Sequence, residues 1–297
     1  MKKVAAIVVT YNRKQLLLEN IEHLLSQSKI DNLDIIIIDN ASTDGTVDDL
    51  KKYIDGKKIT YINTGANLGG AGGFQFGIRY AAESGYEFVW VMDDDCMPKP
   101  DALEKFFIAD EKLNHTYGFL SSKVLWKDET ICTMNVQRRT LTKNVTDFNS
   151  NLVPIAMASF VSLFIPCKIV KEKGLPIKEF FIWTDDWEYT RRISLSHKCY
   201  LVNDSVVVHK SKSNIGANIS SDSLDRLNRY DYLYRNDVYL YRREGIQGFL
   251  YELLRLSYHS VQVLLKAPNS KKERLKKIWC VTFSGFSFHH SIEYLKG

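Results

Sequence analysis

Phe88-Val89-Trp90-Val91-Met92-Asp93-Asp94-Asp95 sets five consecutive apolar residues directly against three carboxylates. An unbroken apolar run of this length reads as a strand buried on both faces, as in parallel sheets covered by helices. Upstream, Val4–Val9 and the four isoleucines after Asp34 are runs of the same kind, and Ile59–Ile62 is strand-like. Helical patterns over Gln15–Leu25, Thr46–Tyr53 and Gly73–Glu83 lie between them. This alternation predicts an α/β domain of nucleotide-binding type in the first hundred residues. Polar clusters close three of the strands: Thr10-Tyr11-Asn12-Arg13, Asp39-Asn40-Ala41-Ser42 and the Asp93–Asp95 triplet. Ligands of open α/β sheets bind beyond the carboxyl ends of the strands, so the clusters are expected to share one crevice. Helix capping is the plainer reading of Asp39 and Ser42.

Three adjacent carboxylates repel one another unless a cation lies among them. Asp93 and Asp95, as alternate residues, can project together and offer hard oxygen ligands to Mg²⁺ or Mn²⁺. An acidic turn into Met97-Pro98 is the alternative. Gly65-Ala66-Asn67-Leu68-Gly69-Gly70-Ala71-Gly72-Gly73 packs five of the 16 glycines into nine positions ahead of a helix expected at Phe74. Glycines there let backbone N–H groups approach a phosphate, though a flexible turn would have the same composition. The segment lacks the Gly-Lys-Ser/Thr ending of a P-loop.

The chain has 297 residues, 45% hydrophobic and 25% charged, which is ordinary globular usage. Its odd, widely spaced cysteines (Cys96, Cys132, Cys167, Cys199, Cys280) fit reduced thiols in the cytosol better than disulfides or a zinc site. Met1-Lys2-Lys3 before Val4–Val9 has a faint likeness to a signal peptide, but the apolar run is short and no small-residue cleavage site follows. Further strands are expected at Gly118–Leu125, Ile155–Ile165 and Cys199–Val208, and a short helix at Pro166–Lys173. From Ser223 the chain turns helical, with Asp222 or Ser223 as cap. In Ile246–Lys266 the residues Glu252, Arg255, His259, Gln262 and Lys266 form one polar stripe, which excludes a membrane span and indicates an amphipathic helix. Residues 242–297 hold ten Lys/Arg against four Asp/Glu, so this tail carries +6 and the rest of the chain −1, for a net charge of +5. No docking fold for nucleic acid accompanies it, and nucleic acid is not an expected partner.

The clusters, taken in order, resemble the successive landmarks of family-2 glycosyltransferases: Val8–Arg13, Asp39–Gly45, Asn67–Gly73 and Asp93–Asp95, continued at Phe180–Arg192. The resemblance implies the GT-A fold, a nucleotide-diphosphate sugar donor such as a UDP-sugar, and a divalent metal, Mn²⁺ or Mg²⁺. It implies that Thr10, Arg13 and Asp39 hold the uracil and ribose side of the donor. Asn67 and the glycines would flank the nucleotide, and Asp94 would lie near the ribose. Asp93, Asp95 and His209 would be metal ligands, and Asp186 the catalytic base of an inverting transfer. Asp185 and Glu188 would orient acceptor hydroxyls, with Trp183 and Trp187 as apolar faces for sugar rings. Salt bridges to Arg191 or Arg192 are the alternative for Asp185 and Glu188.

The Asp-Asp-x-Glu-Tyr core with His209 downstream is most similar to galactofuranosyltransferases, although Thr184 stands where their pattern has a Trp directly before the Asp pair. Rhamnosyltransferases using dTDP-rhamnose come next, and a sugar-nucleotide-binding protein without catalysis is the non-enzyme alternative. With no extra N-terminal β-domain of the chain-polymerising kind, a smaller bacterial enzyme adding one sugar or a few to a surface-glycan or lipid-linked precursor is expected. The expected organisation is a catalytic domain over 1–215, with a donor half to residue 100 and an acceptor half from 101, and a helical extension over 216–297. Lys271, Lys272, Arg274, Lys276 and Lys277 beside Trp279, Phe283, Phe286 and Phe288 suit an anionic membrane surface at the cytoplasmic face. Packing of Phe249, Leu253 and Leu256 on the catalytic domain, or a homo-oligomer through these helices, is the alternative.

Overall fold

A computed structural model describes residues 3–295; Met1 and Lys2, the first two residues of the signal-like opening, lie outside the described residues, and its apolar run is a strand. Strands β1 (Val4–Thr10), β2 (Leu33–Asp39), β3 (Thr60–Asn63) and β4 (Phe88–Asp93) are all parallel and alternate with helices α1 (Lys14–Leu25), α2 (Thr46–Asp55) and α3 (Gly69–Glu83). Each apolar run serves two cores, because successive side chains leave opposite faces of the sheet. Val4, Ala6, Val8, Ile35, Ile37, Trp90 and Met92 pack with Leu17 and Leu24 on one side. Ala5, Ile7, Val9, Ile36, Ile38, Val89 and Val91 pack with Phe74 and Ile78 on the other.

The second half adds β5 (Cys96–Pro98), α4 (Ala102–Lys112), β6 (Leu120–Trp126), β7 (Leu152–Ile155), β8 (Leu163–Pro166), α5 (Cys167–Lys173), α6 (Asp185–Ser194) and β9 (Cys199–His209). The nine strands form one mixed sheet in the order β3-β2-β1-β4-β8-β6-β9-β5, with β7 also on β9. β8 runs antiparallel to β4, which ends the run of four parallel strands, and β6 and β9 beyond it are again parallel. Register brings Thr10 level with Asp39 and Val9 level with Asp93. The three polar clusters therefore sit at one edge of the sheet.

Two expected boundaries move. Ile155–Ile165 is not one strand: β7 ends at Ile155, β8 starts at Leu163, and the chain between them is irregular. Helix α3 starts at Gly69, so its glycines form the first turns instead of preceding the helix. Gly69 has φ 70°, and a Cβ there would lie 2.1 Å from the Phe181 carbonyl oxygen. Gly77 is needed for contact with the sheet, since its Cβ would lie 2.3 Å from Ile7 Cγ2.

Helices α7 (Tyr230–Tyr241), α8 (Gly245–Lys266), α9 (Lys271–Lys276) and α10 (Thr282–Gly285) make up the helical extension. Neither expected cap acts at its start: Ser223 makes no cap bond, and Asp222 accepts from the Tyr230 hydroxyl at 2.7 Å. Helix α8 packs in the opposite sense to that of an ordinary surface helix. Its polar residues turn inward, with Glu252 buried and Arg255 paired with Asp237 of α7. Leu256 is buried, but Phe249 and Leu253 are exposed and do not pack on the catalytic part. The tail then returns to the sheet domain, where the Leu175 N–H donates to the Glu293 carbonyl at 2.8 Å and Glu293 pairs with Arg79 at 2.7 Å.

Candidate active site

At the carboxyl end of β1, Thr10 donates its hydroxyl to Asp94 Oδ2 at 2.7 Å. Arg13 reaches both Asp94 Oδ1 at 2.9 Å and Asp95 Oδ2 at 2.7 Å. Asp94 is 2% exposed and both its oxygens are taken, so it braces the β1 and β4 ends together. Burial raises its carboxyl to about 6, with Arg13 pulling the other way. Asp39 accepts from the Ser42 N–H at 2.9 Å and from the Tyr61 hydroxyl at 2.7 Å. Asn12, in the left-handed region at φ 54°, accepts from the Thr43 N–H at 2.7 Å and ties the β1 and β2 loops together. Asn67 is exposed, and its Oδ1 accepts from the Gly69 N–H at 2.9 Å at the start of α3.

Asp93, Asp95 and His209 each present a ligand atom within 4.8 Å of the others. Strand pairing explains this convergence across more than a hundred residues: β5 lies antiparallel on β9 with Cys96 opposite His209. His209 Nδ1 lies 2.7 Å from Asn135 Oδ1, which fixes that nitrogen as the N–H and leaves Nε2 as the free donor atom for a metal. Nε2 lies 3.1 Å from Asp95 Oδ1 in a misaligned contact, and this buried oxygen has no hydrogen-bond partner among the described residues. Burial opposes the charged imidazole, but Asp95 and Asp93 outweigh it and raise His209 to about 10. Burial, with Asp95 next to it, lifts Asp93 to about 7. Two carboxylates, one of them with an orphaned oxygen, and an oriented imidazole are a hard O/N donor set that fits Mn²⁺ or Mg²⁺.

The acidic segment Asp185-Asp186-Trp187-Glu188 forms the first turn of α6. Phe181, Trp183 and Thr184 before it all have positive φ (63°, 65° and 68°), a conformation that costs each of these residues energy. The surrounding contacts hold it. Ala71 donates its N–H to the Phe181 carbonyl, and Asn236 donates Nδ2 to the carbonyls of Phe180, Ile182 and Trp183 at 3.0, 3.2 and 2.9 Å. Thr184 donates to Asp237 Oδ1 at 2.8 Å, and Asp237 in turn pairs with Arg255 of α8. The extension therefore clamps the segment that aims Asp186.

Asp186 is partly exposed, while burial, then Asp185 and Asp93, push its carboxyl well above the ordinary range; its Oδ1 accepts from the Trp187 N–H. Asp185 is 7% exposed and raised to about 6 by burial. Both oxygens of Glu188 bind Arg192, at 3.0 and 2.9 Å, and the residue is 2% exposed; Arg191 pairs with Glu244. Trp183 packs edge-on against Tyr230 in the extension core, and the Arg138 guanidinium covers the Trp187 ring at 3.9 Å. Tyr61, Asn135, Asn236 and Asp237 escaped the sequence reading, and Arg255 was read only as part of the polar stripe of an amphipathic helix. The sequence around Asn236 is rich in tyrosine (Tyr230, Tyr232, Tyr234, Tyr239 and Tyr241), a composition that suits a packed helix.

Comparison with known proteins decides what this arrangement belongs to. Residues 5–124 match the Glycosyl transferase family 2 model. That stretch is a family 2 glycosyl transferase domain. It is similar to galactofuranosyltransferase GlfT1 of Mycolicibacterium smegmatis, 26% identical over 86% of this chain and 89% of that one. It is also similar to dTDP-rhamnosyl transferase RfbF of Shigella flexneri, 27% identical over 95% of each. Among solved structures, mannosyltransferase PcManGT from Pyrobaculum calidifontis in complex with GDP-Man and Mn²⁺ aligns with a TM-score of 0.59 at 17% identity, over 97% of this chain and 76% of that one. S. aureus TarS 1-349 in complex with UDP-GlcNAc aligns at 0.58 and 15% identity, over 97% and 73%. At those identities the likeness is one of fold, and the fold is GT-A. The chain is a glycosyltransferase.

Proposed function

We propose that this glycosyltransferase inverts the anomeric centre, depends on a divalent metal, and moves galactofuranose from UDP-galactofuranose to a hydroxyl of a cell-surface glycan or lipid-linked precursor. The observation that carries the reaction is the pairing of two acidic sites, Asp93–Asp95–His209 and Asp185–Asp186, close enough that Asp93 contributes to raising Asp186. Asp93, Asp95 and His209 are the residues that would hold Mn²⁺ or Mg²⁺, which when bound neutralises charge on the departing diphosphate. Asp186 takes the proton of the acceptor hydroxyl as that oxygen attacks the anomeric carbon; the bond to the diphosphate oxygen breaks and its electron pair leaves with UDP. A carboxylate raised by burial is a stronger base than a free one, which suits this role.

Thr10, Arg13, Asp39, Asn67 and Asp94 form the donor side, with Asp94 acting through Thr10 and Arg13. Asp185 and Trp187 face acceptor sugars, and Glu188 and Trp183 support them through Arg192 and the helical core. We take 1–215 as the catalytic unit and 216–297 as its extension. Galactofuranose is supported by the similarity to GlfT1 and by the Asp-Asp-x-Glu-Tyr segment with His209. Transfer from dTDP-rhamnose is the second reading, favoured by the similarity to RfbF over nearly the full chain. An acceptor on a lipid carrier would place the enzyme at the inner face of the cell membrane.

The test is turnover by purified protein with UDP-galactofuranose, UDP-galactopyranose, UDP-glucose and dTDP-rhamnose, each with Mn²⁺ and with EDTA. Product from UDP-galactofuranose that vanishes with EDTA is expected. Turnover of dTDP-rhamnose alone would transfer the assignment to the second reading, and undiminished activity in EDTA would remove the metal. No turnover of any donor, with binding retained, would leave a non-catalytic sugar-nucleotide protein.

A further inference from the structure

The inward face of α8, its polar stripe with Leu256 and Val263, leaves most of its apolar residues outside. His259 Nδ1 lies 2.9 Å from the Tyr234 hydroxyl, beside the Arg255–Asp237 pair. On the opposite side Ile246, Leu250, Leu254, Val261 and Leu265 stand at helical spacing, and the two most exposed are Ile246 at 80% and Leu265 at 73%. Phe249, Leu253, Tyr258 and Leu264 widen this stripe and are exposed as well. At 100° per residue it spans about half the helix circumference, broader than the seam buried between two helices of a coiled coil. An exposed apolar strip of this extent marks a surface that something covers.

The unpaired charges around it are mostly positive. Glu244 pairs with Arg191, Glu252 is buried and Glu293 is held by Arg79, which leaves Glu273 as the exposed acid of this region among the described residues. Lys266, Lys271, Lys272 and Lys276 are exposed, and no ion pair engages them among the described residues. Lys271 donates to the carbonyl of Leu264 at 2.7 Å, which holds an ammonium at the border of the apolar stripe. Two of the five cations expected to act together do not share this role. Arg274 is buried against the Asp222 and Asn269 carbonyls, and Lys277 pairs with Asp231 at 2.8 Å.

We propose that the outward face of α8 docks on the surface of an anionic lipid bilayer, with the apolar stripe at the acyl boundary and the four lysines over the headgroups. The docking stands on the helix itself, and draws its purpose from the lipid-linked acceptor proposed above. Among the described residues no helix is long and apolar enough to cross a membrane, so α8 lies along the surface. A second copy fits less well. Laid antiparallel, it would set the lysine end against Arg242 and Arg243; laid parallel, it would bring two lysine clusters together.

Flotation of the full-length protein with vesicles of phosphatidylcholine, alone or with phosphatidylglycerol added, tests this. The wild type is expected to float with the anionic vesicles at low salt and to be released at high salt. Leu254→Glu with Leu265→Glu should stay behind while keeping the wild-type melting temperature, because both positions face out. Replacing Lys271, Lys272 and Lys276 by Gln should weaken vesicle binding about fivefold per lysine. Wild-type protein that stays behind at low salt overturns the proposal. So does a wild-type dimer that the leucine variant splits, with no flotation. UDP-galactofuranose turnover on the same samples separates the two readings: intact turnover without flotation refutes the docking alone, and flotation without turnover refutes the reaction alone.

Discussion

Asp186 can serve as a base only if its carboxylate is both reachable and stronger than a free one, and the first turn of α6 gives it both properties. Asp186→Asn keeps the shape and the contact with the Trp187 N–H region but cannot take a proton. It should lower kcat by about 10²-fold or more while donor affinity, measured calorimetrically, stays unchanged. The base must be ionised, so activity should rise with pH through the raised carboxyls. The acid limb of the rate profile is therefore expected at or above the value of about 6 that Asp185 reaches, well above the value near 4 of a free carboxylate. A limb near 4 would show that neither buried Asp controls the rate. The proposed metal ligands give a separate readout: His209→Ala should weaken Mn²⁺ binding, followed by the ion's paramagnetic signal, about 10-fold or more. The clusters of this site were legible because each is contiguous in sequence and follows an apolar run. Asn135 and Tyr61 were not, since a lone polar residue in a loop or a short strand acquires its role only when long-range pairing sets it beside His209 or Asp39.

Helix α8 shows what periodicity leaves open. The polar stripe of Glu252, Arg255 and His259 was readable, but a 3.6-residue repeat has two faces and says nothing about which one meets the protein. The partners decide, and here Asp237 and Tyr234 on α7 draw the polar face inward. Glu252 pays for this arrangement: its Oε1 is buried without a hydrogen-bond partner among the described residues, and burial lifts its carboxyl to about 7. A folded-state value raised from 4.5 means the native protein holds this proton more tightly than the unfolded chain does. Stability from this group is thus full below about 4.5 and is lost as pH rises through 7. Glu252→Gln should therefore stabilise the protein at pH 8, by about 2 kcal/mol, and have little effect near pH 4. Melting curves of both proteins at the two pH values check this, and a gain of equal size at both would assign the effect to packing. The glycine-rich segment is the corresponding case at the start of α3. Composition indicated a loop, whereas Gly69 and Gly73 lie within the helix and leave a bare Cα against Phe181 and Val9.

Across the whole molecule, the extension acts as part of the active site's frame. Asn236 holds three carbonyls of the strained segment before Asp185, Thr184 is tied to Asp237, and Asp237 to Arg255, so a path of direct bonds runs from α8 to the segment that leads into the proposed base. Positive φ at Phe181, Trp183 and Thr184 is unfavourable by roughly 1–3 kcal/mol each, so the segment should relax when the clamp is weakened. Asn236→Ala removes all three bonds while leaving the metal ligands and the parallel strands untouched. In hydrogen exchange, amides of 180–188 should lose protection in this variant, and those of Val4–Thr10 and Leu33–Asp39 should keep theirs. Kinetically the loss should fall on kcat, with donor affinity held, because Thr10, Arg13 and Asp39 belong to the other half of the sheet. Arg255→Met should act in the same direction more weakly, since it leaves the Thr184–Asp237 bond in place. Uniform loss of protection across the sheet would mean that Asn236 supports the fold as a whole. Unchanged exchange over 180–188 would mean that α3, through the Ala71–Phe181 bond, suffices to hold the base.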